Sequence, residues 1–153
     1  MDEIMGIPTH PLVVHAAVVL TPMLALAALV YALVPRVRPA MWWAVAGLAV
    51  AAPLATLAAT FTGERLVASM PGIETLIGPH AEAGEITRNL TGLLGLASLG
   101  LWLTHRAAAR AQDRPALRWQ ALALTVVVVL TAVAVLIFVV RAGHSGSDAV
   151  WGS

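Results

Sequence analysis

The sequence contains no cysteine and no lysine, and few of its residues carry a charge. The absence of cysteine excludes disulfide bonds, thiolate metal sites and thiol nucleophiles. Charged residues make up 11% of the 153 residues, whereas a soluble domain has about 25%. So little charge cannot cover a surface that faces water, but a surface that faces lipid needs none. The composition therefore predicts an integral membrane protein, and the net charge of +1 gives no reason to expect binding to nucleic acid.

Four hydrophobic runs are long enough to cross a bilayer, for which about 20 apolar residues suffice. They predict helices at about 11–34, 40–62, 82–106 and 117–141. The short turns after the first and third helices favour antiparallel neighbours. We therefore expect an all-α fold, a four-helix up-down bundle that forms a single domain over residues 1–153.

The arginines are distributed unevenly between the predicted connections. Six of the nine lie in segments 35–39 and 106–118, which face the same side of the membrane if there are four crossings. The two termini and the loop 63–88 hold the other three arginines and seven of the eight acids. Because basic residues favour the cytoplasmic side, both termini should be extracytoplasmic.

Small residues recur along the second helix at every fourth position. Such a stripe lets a neighbouring helix approach closely in lipid. The contact lies either within the chain or between copies in a homo-oligomer. The residues are Gly47, Ala51, Ala55 and Ala59, and helix three has a looser set in Gly92, Gly95 and Gly100.

Four of the five histidines map to the predicted extracytoplasmic end, and only His105 maps to the other end. His15 lies inside an apolar span, where a polar side chain needs a partner or a cavity. The sequence therefore predicts a His/Glu cofactor site at this end. The alternative is a polar cap of ion pairs that binds nothing, for example Glu85 with Arg88 or Arg141.

One hypothesis is that the site holds haem b and transfers electrons to a redox partner protein. Helical bundles hold haem between facing helices, and its iron takes axial histidine ligands. His15 would face His80 or His144 across the iron. Arg88 and Arg141 would pair with the propionates.

A second hypothesis is a transition-metal site for zinc, copper or iron. Neutral imidazoles and carboxylates bind these ions without thiolate ligands. The ligands would come from His10, His15, His80, Glu85 and His144.

Two other classes of protein remain open. The chain could be a structural or partner-binding membrane subunit without catalysis. A transporter is less favoured, because no charged residue lies in the middle of any span, as ion relays usually need. No nucleophile–base pair or phosphate-binding loop is visible, so a redox or binding protein is favoured over a hydrolase or transferase.

Several short motifs occur in an order that resembles a bacterial family of membrane proteins, the domain of unknown function 2231. The likeness spans nearly the whole chain, and its ends are the more specific parts. It implies a four-helix domain in the bacterial inner membrane that is fused, in some members, to redox modules. The 153 residues themselves contain no such module. The motifs are His10-Pro11-Leu12-Val13-Val14-His15, Thr62-Gly63, His80-x-Glu82-x-Gly84-Glu85, Gly143-His144-Ser145-Gly146 and Val150-Trp151.

Overall fold

The structure is a computed structural model that describes residues 3–4, 7–70, 72–110 and 114–151. Two short antiparallel strands, β1 and β2, precede four long helices, and a 3₁₀ turn at Pro35–Val37 joins the first two helices. The elements are β1 (Glu3–Ile4), β2 (Ile7–Pro8), α1 (Thr9–Leu33), α2 (Arg38–Ala68), α3 (Glu74–Arg110) and α4 (Pro115–Trp151).

The four helices form an up-down bundle, as the sequence predicted. Helix α1 packs against α2 and α4, and α3 packs against the same two helices, so that α1 and α3 lie on a diagonal. Short connections require consecutive helices to run in opposite directions. The all-α bundle is therefore confirmed.

The helices continue beyond the predicted hydrophobic runs. Helix α2 extends to Ala68 rather than 62, α3 begins at Glu74 rather than 82, and α4 extends to Trp151 rather than 141. Apolar runs mark only the part of a helix that lies in hydrocarbon. Backbone hydrogen bonding continues through polar residues once their side chains reach water.

The two ends of the bundle differ. The terminal end holds the start of α1, the end of α2, the start of α3 and the end of α4. The arginine-rich end holds residues 31–38, 102–110 and 114–118. A contact between Tyr31 and His105 joins α1 to α3 at the arginine-rich end.

Three helical stretches among the described residues are long and apolar enough to cross a membrane: Thr9–Leu33, Pro35–Ala68 and Pro115–Asp148. Helix α3 is long enough but less apolar, because Arg88, Asn89, His105 and Arg106 bound its short apolar stretch closely. It also places hydroxyl groups in the core. Thr87, Thr91, Ser98 and Thr104 are all buried. Most buried threonines donate to a carbonyl of their own helix, as Thr91 does to Thr87 at 2.7 Å, which makes them tolerable in an apolar interior.

Large apolar side chains cover the outside of the bundle. Leu96 and Trp119 are each 72% exposed, and Val140 is 69% exposed. An apolar surface of this extent is an interaction surface, and lipid is the partner that fits a bundle of this hydropathy.

The predicted small-residue stripe of α2 lies partly on the packed face: Ala51, Ala55 and Ala59 are half-buried, and a contact between copies through it stays a prediction. Gly47 is exposed and has nothing near the position of a Cβ. The buried positions of α2 are Val45, Ala49, Ala52 and Thr56. Two small residues of the same chain do come close together: Gly95 of α3 packs against the backbone of Ala49 in α2.

Candidate imidazole site at the terminal end

His10 is the second residue of α1, and its ring is bound to the end of α2. Its Nδ1 lies 3.1 Å from Oγ1 of Thr62. The single hydroxyl hydrogen of Thr62 is already donated to the carbonyls of Ala58 and Ala59, at 2.9 and 3.1 Å. The hydroxyl oxygen must therefore accept a hydrogen bond from Nδ1–H of His10. In the neutral ring this leaves the lone pair on Nε2.

His80 is bound in the same way by the other pair of helices. Its Nδ1 lies 2.9 Å from the carbonyl oxygen of Ala142 in α4. A carbonyl can only accept, so Nδ1 of His80 carries the hydrogen and the neutral ring again has its lone pair on Nε2. Both half-buried imidazoles are thus held in the same tautomer.

Each imidazole also packs against a glycine of the helix that binds it. A Cβ added to Gly63 in α2 would lie 3.0 Å from Cε1 of His10, and a Cβ added to Gly146 in α4 would lie 2.9 Å from Nδ1 of His80. Any larger residue would push the ring out of position. The two glycines therefore define where the rings can lie.

His10 and His80 lie within electrostatic range of each other. Each helical hairpin supplies one of them: α1 and α2 hold His10, and α3 and α4 hold His80. The terminal end therefore carries two anchored imidazoles, one from each helical hairpin.

The other two histidines predicted at this end lie elsewhere on its surface. His15 is exposed, and its Nδ1–H donates to the carbonyl of Pro11 in its own helix. The side chain of His144 is 78% exposed, and its Nε2 lies 3.4 Å from Oδ2 of Asp148. His144 also lines an apolar groove of about 470 Å³ between α1 and α4. Neither residue is held against His10 or His80 by a hydrogen bond.

The predicted charged residues make local contacts. Arg88 donates to Oε1 of Glu85 at 3.3 Å and to Oδ1 of Asn89 at 3.2 Å. The guanidinium of Arg141 lies 5.3 Å from the ring centroid of Phe138. An ion pair between Glu85 and Arg88 is what the alternative hypothesis, a polar cap that binds nothing, predicts. The roles of Glu85, Arg88 and Arg141 toward a cofactor stay predictions.

Within the part of the chain that the structure describes, no three His, Asp or Glu side chains converge as a set of metal ligands. The assignment of His15, His80 and His144 as ligands likewise stays a prediction. Sequence reasoning missed the anchors Thr62 and Ala142 and the paired glycines. The motifs Thr62-Gly63 and Gly143-His144-Ser145-Gly146 were the signal that could have found them, because each places a glycine at the end of a partner helix.

A polar contact also lies at the arginine-rich end. His105, predicted there, shares a hydrogen bond of 3.3 Å with the hydroxyl of Tyr31. Arg38 donates to the carbonyls of Tyr31 and Ala32, at 3.0 and 2.8 Å, and so caps the end of α1. These residues are engaged with one another and secure the turn between α1 and α2.

The fold and the site define an all-α membrane protein with a pair of anchored imidazoles at one end of its bundle. The chain belongs to the family described as predicted membrane protein DUF2231, which matches residues 6–153. The resemblance that the motifs indicated is therefore confirmed. No curated protein and no solved structure matches the chain.

Proposed function

We propose that this protein binds haem b at the terminal end of the bundle, with His10 and His80 as the axial ligands, and that it transfers electrons at the membrane surface. One observation carries the proposal: both imidazoles donate through Nδ1 and so keep Nε2 available. Histidines that bind a metal usually donate their other ring nitrogen to a protein oxygen, which fixes the ring and its tautomer.

The number of ligands favours haem over a bare metal ion. A six-coordinate haem of an electron-transfer protein takes two ligands from the protein, because the macrocycle supplies the other four. A zinc site needs at least three protein ligands, and no such set is present among the described residues. His10 and His80 therefore match the ligand count of a bis-imidazole haem.

The haem would supply one-electron redox chemistry, and the protein would supply its position and surroundings. Thr62 and Ala142 orient the two rings, and Gly63 and Gly146 hold them in place. The surrounding apolar helices would limit the access of water. We place this end on the extracytoplasmic side of the bacterial inner membrane, because the opposite end carries six of the nine arginines. A redox partner would then approach from that side.

The same contacts also support a structural alternative. The hydrogen bonds from His10 to Thr62 and from His80 to Ala142 each join two helices. Interhelical bonds of this kind contribute about 0.6 kcal/mol in membrane proteins. A protein that binds no cofactor would keep this benefit, so the alternative predicts loss of stability without loss of any chromophore.

The test is an absorption spectrum and a metal analysis of the full chain, purified from cells supplied with a haem precursor. The proposal expects a Soret band and about one haem per chain. His10→Ala and His80→Ala should each lose the haem. His15→Ala and His144→Ala are the matched controls and should keep it, because both side chains are exposed and bound locally.

Three results would count against the proposal. Colourless protein with one zinc or copper ion per chain would assign a metal-ion site instead. Colourless protein without metal would favour the structural alternative. Loss of haem in the His15 and His144 variants, with haem kept in the His10 variant, would show that the ligands are those predicted from the sequence.

A further inference from the structure

The arginine-rich end carries an aromatic cluster on its outer surface, where α2 meets α3. The rings of Trp42 and Trp102 are stacked, with centroids 5.7 Å apart and planes inclined by 7°. The guanidinium of Arg106, one turn beyond Trp102 in α3, lies 5.1 Å from the centroid of the Trp102 ring. We name Trp42, Trp102 and Arg106 the tryptophan–arginine cluster. It lies far from the imidazole site, at the opposite end of the bundle.

The position of the cluster is that of a membrane interface. Tryptophan rings favour the headgroup region, where one part of the ring is apolar and the N–H group can reach water. Trp42 is 42% exposed, and Arg106 is exposed as well. The neighbouring outward side chains, Trp43 and Leu103, are apolar. A molecule bound here would meet a cation at the headgroup level and apolar surface beside it.

This end has a net positive charge, since segments 35–39 and 106–118 hold six arginines and one acid. Its described residues include five exposed or partly exposed arginines besides Arg38 and no acidic residue; the five are Arg36, Arg106, Arg110, Arg114 and Arg118. Within the described ranges Arg106 makes no ion pair, and its one polar contact is with the Trp102 ring. A guanidinium that stacks through its face keeps its N–H edge available for a phosphate, which it binds in a bidentate manner.

We propose that the tryptophan–arginine cluster is a binding site for the headgroup of an anionic phospholipid. Arg106 binds the phosphate, Trp42 and Trp102 support the glycerol region, and the acyl chains lie along the apolar outer surface of α2 and α3. Charge complementarity selects the lipid. A zwitterionic headgroup brings its own cation to an end that is already positive, whereas phosphatidylglycerol does not.

Native mass spectrometry of the full chain in detergent tests the site, because it counts bound lipids individually. Phosphatidylglycerol and phosphatidylcholine with the same acyl chains are titrated separately. The first phosphatidylglycerol should bind about five-fold more tightly than the first phosphatidylcholine, the ratio that corresponds to about 1 kcal/mol for one arginine near an anionic headgroup.

Arg106→Gln should remove this preference. Arg36→Gln is the matched control: it removes the same charge from the same end, but Arg36 has no tryptophan contact among the described residues, so the preference should remain. Equal affinities of the two lipids for the unaltered chain would overturn the proposal. Equal losses in both variants would also overturn it, because they would show a general effect of net charge. Circular dichroism of both variants confirms that they are folded.

Discussion

Gly95 of α3 lies directly against the backbone carbonyl of Ala49 in α2. A Cβ at position 95 would stand 2.6 Å from that oxygen and 3.0 Å from Cγ of Pro53. Pro53 has no N–H group to donate to the carbonyl of Ala49, four residues earlier in the helix. The carbonyl is therefore free to accept a weak Cα–H contact from Gly95. Proline in one helix and glycine in the next together allow α2 and α3 to pack closely.

We predict that Gly95→Ala destabilises the bundle by about 1–3 kcal/mol, the usual cost of inserting a methyl group into a tightly packed interface. The added Cβ meets backbone atoms, which cannot rotate away. Unfolding in detergent, followed by circular dichroism, measures the effect. Gly92→Ala is the control, because nothing lies within 4 Å of its Cβ position. Equal stabilities of the two variants would show that the close approach at Gly95 does not limit the stability of the bundle.

We predict that Gly146→Ala weakens cofactor binding about tenfold or more, the usual effect of losing a partner that orients a metal ligand. Its Cβ would lie 2.9 Å from Nδ1 of His80, so the ring must move away from the carbonyl of Ala142. Haem titration followed by absorbance measures the affinity. Gly143→Ala, in the same part of α4, has open space around its Cβ and should behave like the unaltered chain. If both variants bind equally, Gly146 does not position the ring.

We predict that Thr62→Val lowers haem affinity by about tenfold and destabilises the fold by about 0.5–1.5 kcal/mol. Valine has nearly the shape of threonine but cannot accept the hydrogen bond from Nδ1–H of His10. Thr62→Ser restores the acceptor and should restore both properties. Thermal unfolding without haem and absorbance with haem separate the two effects. A serine variant as weak as the valine variant would point to packing rather than to the hydrogen bond.

We predict that the terminal end faces the outside of the cell. The chain has no cysteine, so a single introduced cysteine can be labelled without background. Ser69→Cys, at the terminal end, should react with a membrane-impermeant maleimide in intact cells. Ala108→Cys, at the arginine-rich end, should react only after the membrane is opened. Both residues are exposed, and the reverse pattern of labelling would invert the orientation.

Much of the fold could be predicted because bilayer thickness constrains the sequence directly. Runs without charge had to be helices, and short turns had to make their neighbours antiparallel. Helix ends could not be predicted as well. Residues such as Glu64 and Arg65 interrupt the hydrophobic run of α2 but not its backbone hydrogen bonding, which continues to Ala68.

The candidate site illustrates a different limit, which is rotation about the helix axis. His10 and His15 are five residues apart, which is about 140° around a helix of 3.6 residues per turn. They therefore cannot both point toward the bundle axis. Apolar neighbours made His15 the more promising residue in the sequence, yet His10 is the one that reaches α2, and His15 is exposed. The same limit applies to α2, whose rotation places Ala49 against α3 and leaves Gly47 exposed.

The amino-acid sequence by itself determined that this is a lipid-embedded bundle of four helices with six of its nine arginines at one end and most of its histidines at the other. It could do so because hydropathy and charge act residue by residue against the bilayer. Only the tertiary structure decided which imidazoles are bound to a partner helix. That choice depends on how each helix is rotated, and the rotation is set by contacts between distant parts of the chain, such as Gly95 with Ala49 and His80 with Ala142.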